Sequence, residues 1–426
     1  MGLLQAPRSF ACSEPEANGV TTAGLRVRTS GECASWAGIL ASPSMRFASA
    51  VSAAPDFDRA VGEVASALQA GLGDARADLL CCFVSAHHEP AYHSIAERLR
   101  RALDGALLFG CTARSVLGAG REIEDAPGLA AVAASLPGAA LRPFHADAKG
   151  LPDLVGPDDA HVLLLVDPWS ADLDAWIPAL DERFPAGTKI GGVASAAAQP
   201  GRNLLFLGED TLRTGAVGVV ISGAVAVDAV VAQGCRPVGP PLFVTGAREN
   251  VLFELDGNPP MEVLGRIFAA ASPAEQRLFQ GSLFLGIEME AEQSRFESGD
   301  FLIRNLIGAD ANTGSLQVAA NLEDRRVVQF HLRDAAAAAE DLARRLARYG
   351  VERGPGAAGA LLFSCLGRGQ GLYGVPDHDS AALQRALGPL PLGGFFCNGE
   401  IGPVEGRTFL HGYTSAFGIF RAKEER

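Results

Sequence analysis

The chain reads as an α/β protein of mixed sheets with outer helices, and three observations say so. A strand, helix, strand unit recurs three times along the sequence, and each recurrence is followed by one or two strands rich in Val, Ala and Phe. At 426 residues the chain exceeds one ordinary core, so two domains are expected. A strand, a crossover helix and a second strand imply parallel pairing inside each unit. The trailing strands then add antiparallel hairpins to the sheets.

Residues 1–46 are rich in Ser, Ala, Thr and Gly, without apolar periodicity or the continuous apolar stretch of a secretory signal. They are expected to be a disordered tail, or a mis-assigned start with Met45 as the first residue. The first domain is placed at 47–238 and the second at 239–426, with a boundary near Pro237–Pro241, where Pro and Gly interrupt the strand pattern. Asp56 is positioned to cap a helix whose apolar face is Phe57, Val61, Val64 and Leu68, ended by Gly71 and Gly73.

The first unit is Leu79–Ser85, a helix over Glu89–Leu103, and a strand from Ala106 that runs into Gly110, Cys111, Thr112, Ala113, Arg114 and Ser115. The second is His161–Asp167, a helix through Trp176 and Leu180, and Lys189–Ser195. The third is Ala360–Cys365, a helix from about Ser380 to Leu387, and the loop-bearing run Leu392–Pro403. From the polar end of each first strand to the glycine of the second the spacings are 25, 24 and 30 residues (Ser85 to Gly110, Asp167 to Gly191, Ser364 to Gly394). The trailing strands are Leu129–Ser135 with Ala140–Phe144, the run Gly215–Val227 turning at Ser222-Gly223 as a buried hairpin, and Tyr413–Phe420. Before the third unit come a helix from about Pro260, a charge-rich insertion to Asp324 with strands at Ser282–Ile287 and Phe301–Ile307, a strand at Arg325–His331, and an Ala-rich helix at Ala335–Tyr349.

A net charge of −13 without clustered Lys or Arg argues against nucleic acid or an anionic membrane as partner. The uncharged run Gly215–Val227 has 13 residues, short of the roughly 20 that span a bilayer. Eight cysteines without CxxC spacing suit reduced thiols in a cytoplasmic protein.

Cofactor and metal signatures are weak. Gly369–Gly374 matches GxGxxG, but Pro376 and Asp377 follow where the helix of a dinucleotide site should run. No Walker A sequence occurs. In His87-His88-Glu89-Pro90-Ala91-Tyr92-His93 the second zinc-ligating position of HExxH is Tyr92, with His93 one residue late, so no metal is expected. No GxSxG elbow is present. Cys111 lies three residues before Arg114 and Cys365 three before Arg368, and a nearby cation can make a thiol reactive, with His87, His88 or His411 as base; an inert buried cysteine is the other reading.

The strand ends of the three units carry small residues followed by hydrogen-bonding ones, which points to a shared polar cavity. Its candidate ligand-binding residues are Ser85, His87, His88, Cys111, Thr112, Arg114, Ser195, Cys365, Arg368, Asn398, Gly399, Glu400 and His411. Arg114 and Arg368 could hold a carboxylate bidentately while Asn398 and Glu400 receive an amine, which suits an amino-acid-like zwitterion. A structural Arg114–Glu400 salt bridge, and His87 and His88 as helix-capping groups, fit the same residues.

The runs Ser364–Gly369 (SCLGRG), Pro389–Gly406 (PLPLGGFFCNGEIGPVEG) and Leu410–Phe417 (LHGYTSAF), with Asp379-Ser380 opening a helix, resemble the C-terminal part of the FIST domain, named for F-box and intracellular signal transduction proteins. Ser85–His88, Gly110–Asp125 and Gly191–Ala196 are similar to its N-terminal part, so the likeness covers about residues 47 to 420. Such a resemblance implies a small-ligand sensory domain for amino acids or related metabolites, without a cofactor. The sequence shows no F-box-like helical segment before residue 47, no kinase and no methyl-accepting coiled coil, so output through a separate signalling partner is expected.

Overall fold

Continuous apolar runs in the parallel strands of each repeat give them two buried faces, and the protein uses both. The computed structural model describes residues 44–102, 105–289, 296, 299–323 and 325–424; of the tail expected over 1–46, residues 1–43 lie outside them and Arg46 already opens a strand. The first repeat comprises β1 (Arg46–Ser52), α1 (Phe57–Leu72), β2 (Leu79–Ser85), α2 (Ile95–Ala102), β3 (Leu107–Ala113), the short hairpin β4 (Val116–Gly118) and β5 (Arg121–Ile123), and β6 (Leu129–Ser135). The second comprises β7 (Ala139–Ala146), β8 (His161–Val166), α3 (Leu173–Arg183), β9 (Lys189–Val193), the hairpin β10 (Leu205–Leu207) and β11 (Asp210–Leu212), and β12 (Ala216–Gly223).

The third repeat opens with β13 (Val225–Gln233) and is then interrupted. The inserted elements are β14 (Cys235–Pro237), β15 (Leu242–Arg248), β16 (Val251–Leu255), α4 (Pro260–Ala270), α5 (Pro273–Phe279), β17 (Leu283–Glu288), β18 (Phe301–Ala309), β19 (Leu316–Val318) and β20 (Val327–Arg333). The repeat resumes with α6 (Ala335–Arg353), β21 (Ala357–Cys365), α7 (Gln370–Tyr373), α8 (His378–Leu387), β22 (Leu392–Cys397), the hairpin β23 (Glu400–Val404) and β24 (Arg407–His411), and β25 (Thr414–Ala422).

Each repeat centres a six-stranded sheet on a parallel pair: β2 with β3, β8 with β9, and β21 with β22. Beside the first strand of each pair lies the repeat's own last strand, antiparallel, and beyond it the repeat's first strand (β6 and β1, β12 and β7, β25 and β13). Beside the second strand lies a hairpin borrowed from another repeat. The first repeat's hairpin joins the third sheet, the second's joins the first, and the third's joins the second. This cyclic exchange ties the three sheets together, and strands from both sides of Pro237–Pro241 share two of them.

The glycines at equal spacing occupy one structural position. Gly110, Gly191 and Gly394 pair with Cys82, Leu164 and Leu362, and a Cβ at each would lie 1.8–2.0 Å from that partner's carbonyl oxygen. The register matches Cys365, not Ser364, to Ser85 and Asp167, three residues beyond the glycine's partner in every repeat.

Inner faces of the three sheets meet in one core that includes Phe83, Cys111, Leu163, Leu165, Phe363 and Phe395. The outer faces bury separate clusters under helices: Leu80 and Val84 against α1 and α2, Leu164 and Val166 against α3, and Leu362 and Phe396 against α6 and α8. Two local expectations are corrected. Pro90 removes an amide donor inside the expected Glu89–Leu103 helix, so Ala86–Ser94 form 3-10 turns and the α-helix begins at Ile95. The run Gly215–Val227 is not a hairpin: at Gly223 (φ +92°) the chain leaves the second sheet, and β13 pairs with β25 in the third.

The insertion is a closed barrel. β15, β16, β19, β18, β17 and β20 pair in a ring that closes between β17 and β20, around a core of Leu252, Leu285, Leu316, Val328 and Phe330. Closure leaves the ring itself without a free edge, and the short β14 pairs with β20 outside it.

Candidate functional site

Where two repeats keep apolar residues, the third places polar ones. Strand register aligns Glu400 with Val116 and Leu205, and its cross-strand partner His411 with Ile123 and Leu212. Val116, Leu205 and Ile123 belong to the central core. In the third repeat that position instead carries a carboxyl and an imidazole, both buried.

The Glu400 carboxyl is only half satisfied. Its Oε2 accepts hydrogen bonds from the Thr414 amide (3.1 Å) and the Thr414 hydroxyl (2.8 Å), while Oε1 has no partner. Burial disfavours the charged form and pushes its pKa up to about 8, against the smaller downward pull of the Thr414 bonds, so the acid is largely protonated at neutral pH. The Cys365 thiol accepts from the Gly367 amide (3.4 Å). Burial raises the thiol pKa far above its usual range, so the resting group is not a thiolate. His411 Nε2 lies 3.0 Å from the Gly402 carbonyl and therefore carries the proton, which leaves Nδ1 as an acceptor. Burial lowers its pKa to about 4, so the ring is neutral.

Cys365, Cys397, Asn398, Gly399 and His411 line a cavity of about 460 Å³, and the buried Glu400, next to Gly399 in the chain, is outside that lining. Its opposite wall comes from the barrel: Ile303, Arg304 and Asn305 of β18, and Arg333. Three hydrogen bonds join the two walls, from Arg304 to the Leu410 carbonyl (2.9 Å), from Tyr413 to Asn305 (2.6 Å) and from Arg333 to the Gly367 carbonyl (3.2 Å). The volume is that of an ordinary small-ligand site. A second cavity of about 450 Å³ shares Arg304, Ala319 and Leu410 with it, and a third of about 310 Å³ at Asp167–Asp174 shares Asn398 and Leu410.

Of the residues picked from the sequence, Cys365, Asn398, Gly399 and His411 come together here, and Glu400 is the cross-strand partner of His411. The others lie elsewhere. Ser85 Oγ accepts from the Gly128 amide (2.8 Å), His87 is exposed, and His88 is buried against the ring of Phe57. Cys111 is sealed in the central core, and Thr112 Oγ1 accepts from the Leu204 amide (2.9 Å). Arg114 pairs with Asp125 at 2.6 Å on the surface, so the expected Arg114–Glu400 bridge is not formed. Ser195 joins the Arg114 amide to the Phe396 carbonyl, where the strand ends of all three repeats meet. Arg368 is buried and holds Asp379 bidentately (2.9 and 3.2 Å), within a network that includes Ser364, Ser415 and Tyr373; the carboxylate it binds is the protein's own.

Gly369 (φ +65°) and Gly374 (φ +72°) bracket the four-residue α7, so the third glycine of GxGxxG closes a helix instead of opening one. Among the described residues no group of three or more His, Cys, Asp or Glu side chains is placed to hold a metal ion, and no helix is long and apolar enough to cross a membrane. The barrel residues Arg304, Asn305 and Arg333 were not legible as site residues. The one signal was an arginine inside the apolar run Phe301–Ile307.

Comparison with known proteins agrees with this architecture. The family model of the FIST N domain matches residues 78–258, and that of the FIST C domain matches residues 260–403. The chain belongs to the FIST family. FIST domains are sensory domains of signal transduction proteins. An uncharacterized protein of Mycobacterium tuberculosis is 38% identical over 385 residues, covering 88% of this chain and all of that protein. One from Mycobacterium bovis is 36% identical over 385 residues, covering 88% and 99%. An F-box/LRR-repeat protein of Arabidopsis thaliana is 30% identical over 122 residues, 26% of this chain and 22% of that protein. The FIST C match starts inside the barrel insertion and ends within the hairpin β23–β24, so it contains Cys365, Asn398 and Glu400.

Proposed function

We propose that this FIST protein is a cytoplasmic small-ligand sensor, that its ligand is an amino acid or a related small metabolite, and that it signals through a separate protein partner. The observation that carries the reading is the break in the threefold pattern. Glu400 and His411 replace an apolar core pair, beside a cavity that the barrel closes from the other side. A buried carboxyl with one free oxygen is costly unless something uses it. A protonated Glu400, the neutral His411 and the Asn398 side chain offer both donors and acceptors to a polar ligand.

The test is a thermal-shift screen of amino acids and small metabolites on the purified chain. A stabilising compound is expected, with the shift lost in Asn398→Ala combined with Glu400→Gln; a shift that survives both substitutions places the ligand elsewhere. A second reading, Cys365 as a nucleophile with His411 as base, draws on their sharing one cavity. It requires turnover, or a covalent adduct on Cys365 visible as a mass increment in intact protein; the raised thiol pKa weighs against it.

A further inference from the structure

The second cavity, of about 450 Å³, shares Arg304 with the first as a lining residue, and its described lining carries two arginines against one carboxylate. Arg304 and Arg325 line it from the barrel side, and Asp174, in the first turn of α3, is the one carboxylate among its lining residues. Among the described residues neither arginine makes an ion pair. Arg304 is half-buried, and the bonds of its guanidinium go to the backbone carbonyls of Ile303 (3.0 Å) and Leu410 (2.9 Å).

Burial pushes the pKa of Arg304 down to about 10, against the attraction of Asp174 and with the repulsion of Arg325. A guanidinium removed from water without a carboxylate is destabilising, and two of them facing one cavity repel each other. This occurs in a chain with 49 acidic residues against 36 basic ones, where carboxylate partners are abundant. The fork of an arginine suits a planar or tetrahedral oxyanion held by paired hydrogen bonds.

We propose that Arg304 and Arg325 form an anion subsite that receives a carboxylate or phosphate group of the ligand, whose polar remainder reaches the Cys365–His411 cavity. The second half of this statement rests on the ligand-sensing reading above; the subsite itself does not. Because both arginines belong to the barrel and the cavity's other wall is α3 and β24, an anion there bridges barrel and sheets.

The experiment uses the full chain and two probes, inorganic phosphate and succinate, titrated over the millimolar range at constant ionic strength with melting temperature as readout. A saturable rise with one probe is expected, and the better probe assigns the group as phosphate or carboxylate. Arg325→Gln, at an exposed position, is expected to weaken the apparent affinity by about tenfold, as loss of a charge-assisted bond does. Arg304→Gln should do at least as much, and Arg326→Gln next to it should have no effect. No saturable rise with either probe, or an undiminished rise in the double variant Arg304→Gln with Arg325→Gln, overturns the subsite. The Asn398→Ala and Glu400→Gln chain keeps the anion response even if the sensor reading fails. A metabolite that binds equally well to both arginine variants preserves the sensor reading and overturns the link between its anionic group and this subsite.

Discussion

Glu400 and His411 face each other as a directly opposed cross-strand pair, both buried, at the position where the other repeats oppose Val116 to Ile123 and Leu205 to Leu212. The pair also alters how one backbone amide is satisfied. In the first repeat Ser85 Oγ accepts from the Gly128 amide at 2.8 Å, and in the second Ser170 Oγ accepts from the Gly215 amide at 2.8 Å. The corresponding amide of the third repeat is that of Thr414, and Glu400 takes it, because the residue aligned with Ser85 is Cys365.

A double-mutant cycle tests that equivalence. Glu400→Val leaves the Thr414 amide without an acceptor, and Cys365→Ser should supply one as Ser85 does for Gly128. Adding Cys365→Ser to the Glu400→Val chain is expected to stabilise it by about 1–3 kcal/mol, the cost of a buried unsatisfied amide. Urea denaturation of the four chains measures the coupling, and a coupling of zero means that the two amides are not equivalent.

The contribution of Glu400 to stability should fall as pH rises, opposite in sign to that of the buried His411, whose pKa is lowered to about 4. The folded-state pKa of Glu400 is raised, to about 8, so the folded chain holds its proton where the unfolded chain has lost it. The contribution is therefore fully present below the ordinary carboxyl range and is lost as pH rises through about 8. Glu122, raised to about 7 mainly by burial and then by Asp379, acts in the same direction. Denaturation midpoints from pH 5 to 9 should flatten in Glu400→Gln and flatten further when Glu122→Gln is added. An unchanged slope in both would show that these acids are ionised in the folded chain.

The glycines at the crossover strands should not tolerate a methyl group. Gly191→Ala and Gly394→Ala each drive a Cβ to 1.8 Å from a backbone carbonyl oxygen, which must move the parallel strand; a loss of about 3 kcal/mol or more is expected for each. Gly62, inside α1 with open space around it, is the contrast, and Gly62→Ala should stabilise by about 0.5–1 kcal/mol. Thermal melts of the three variants check both directions. Equal effects would contradict the strand register.

Legibility followed the range of each interaction. The Asp56 cap and the apolar face of α1 were readable because helical spacing is local: Asp56 accepts from the Arg59 amide, and Val61, Val64 and Leu68 are buried. The barrel was only partly readable. Strands were expected at Ser282–Ile287, Phe301–Ile307 and Arg325–His331, within two residues of β17, β18 and β20, but ring closure depends on β20 pairing with both β15 and β17, which no local pattern states. The Arg114 and Arg368 readings failed for a related reason. A cation near a cysteine in sequence pairs with whichever carboxylate the fold delivers, here Asp125 and Asp379.

What the sequence by itself determined is the threefold plan: three strand, helix, strand units, a glycine at the same place in each, and a polar loop at Asn398 and Glu400 in the third. Periodicity and spacing carry this information because they act within a few turns of chain. Tertiary structure alone decided that each repeat lends its hairpin to a different sheet, that a barrel faces the third repeat's strand ends, and that Arg304 lines both the Cys365–His411 cavity and the one that holds Arg325. Those outcomes depend on pairing between strands tens to hundreds of residues apart, where burial and register across the whole molecule select the partner.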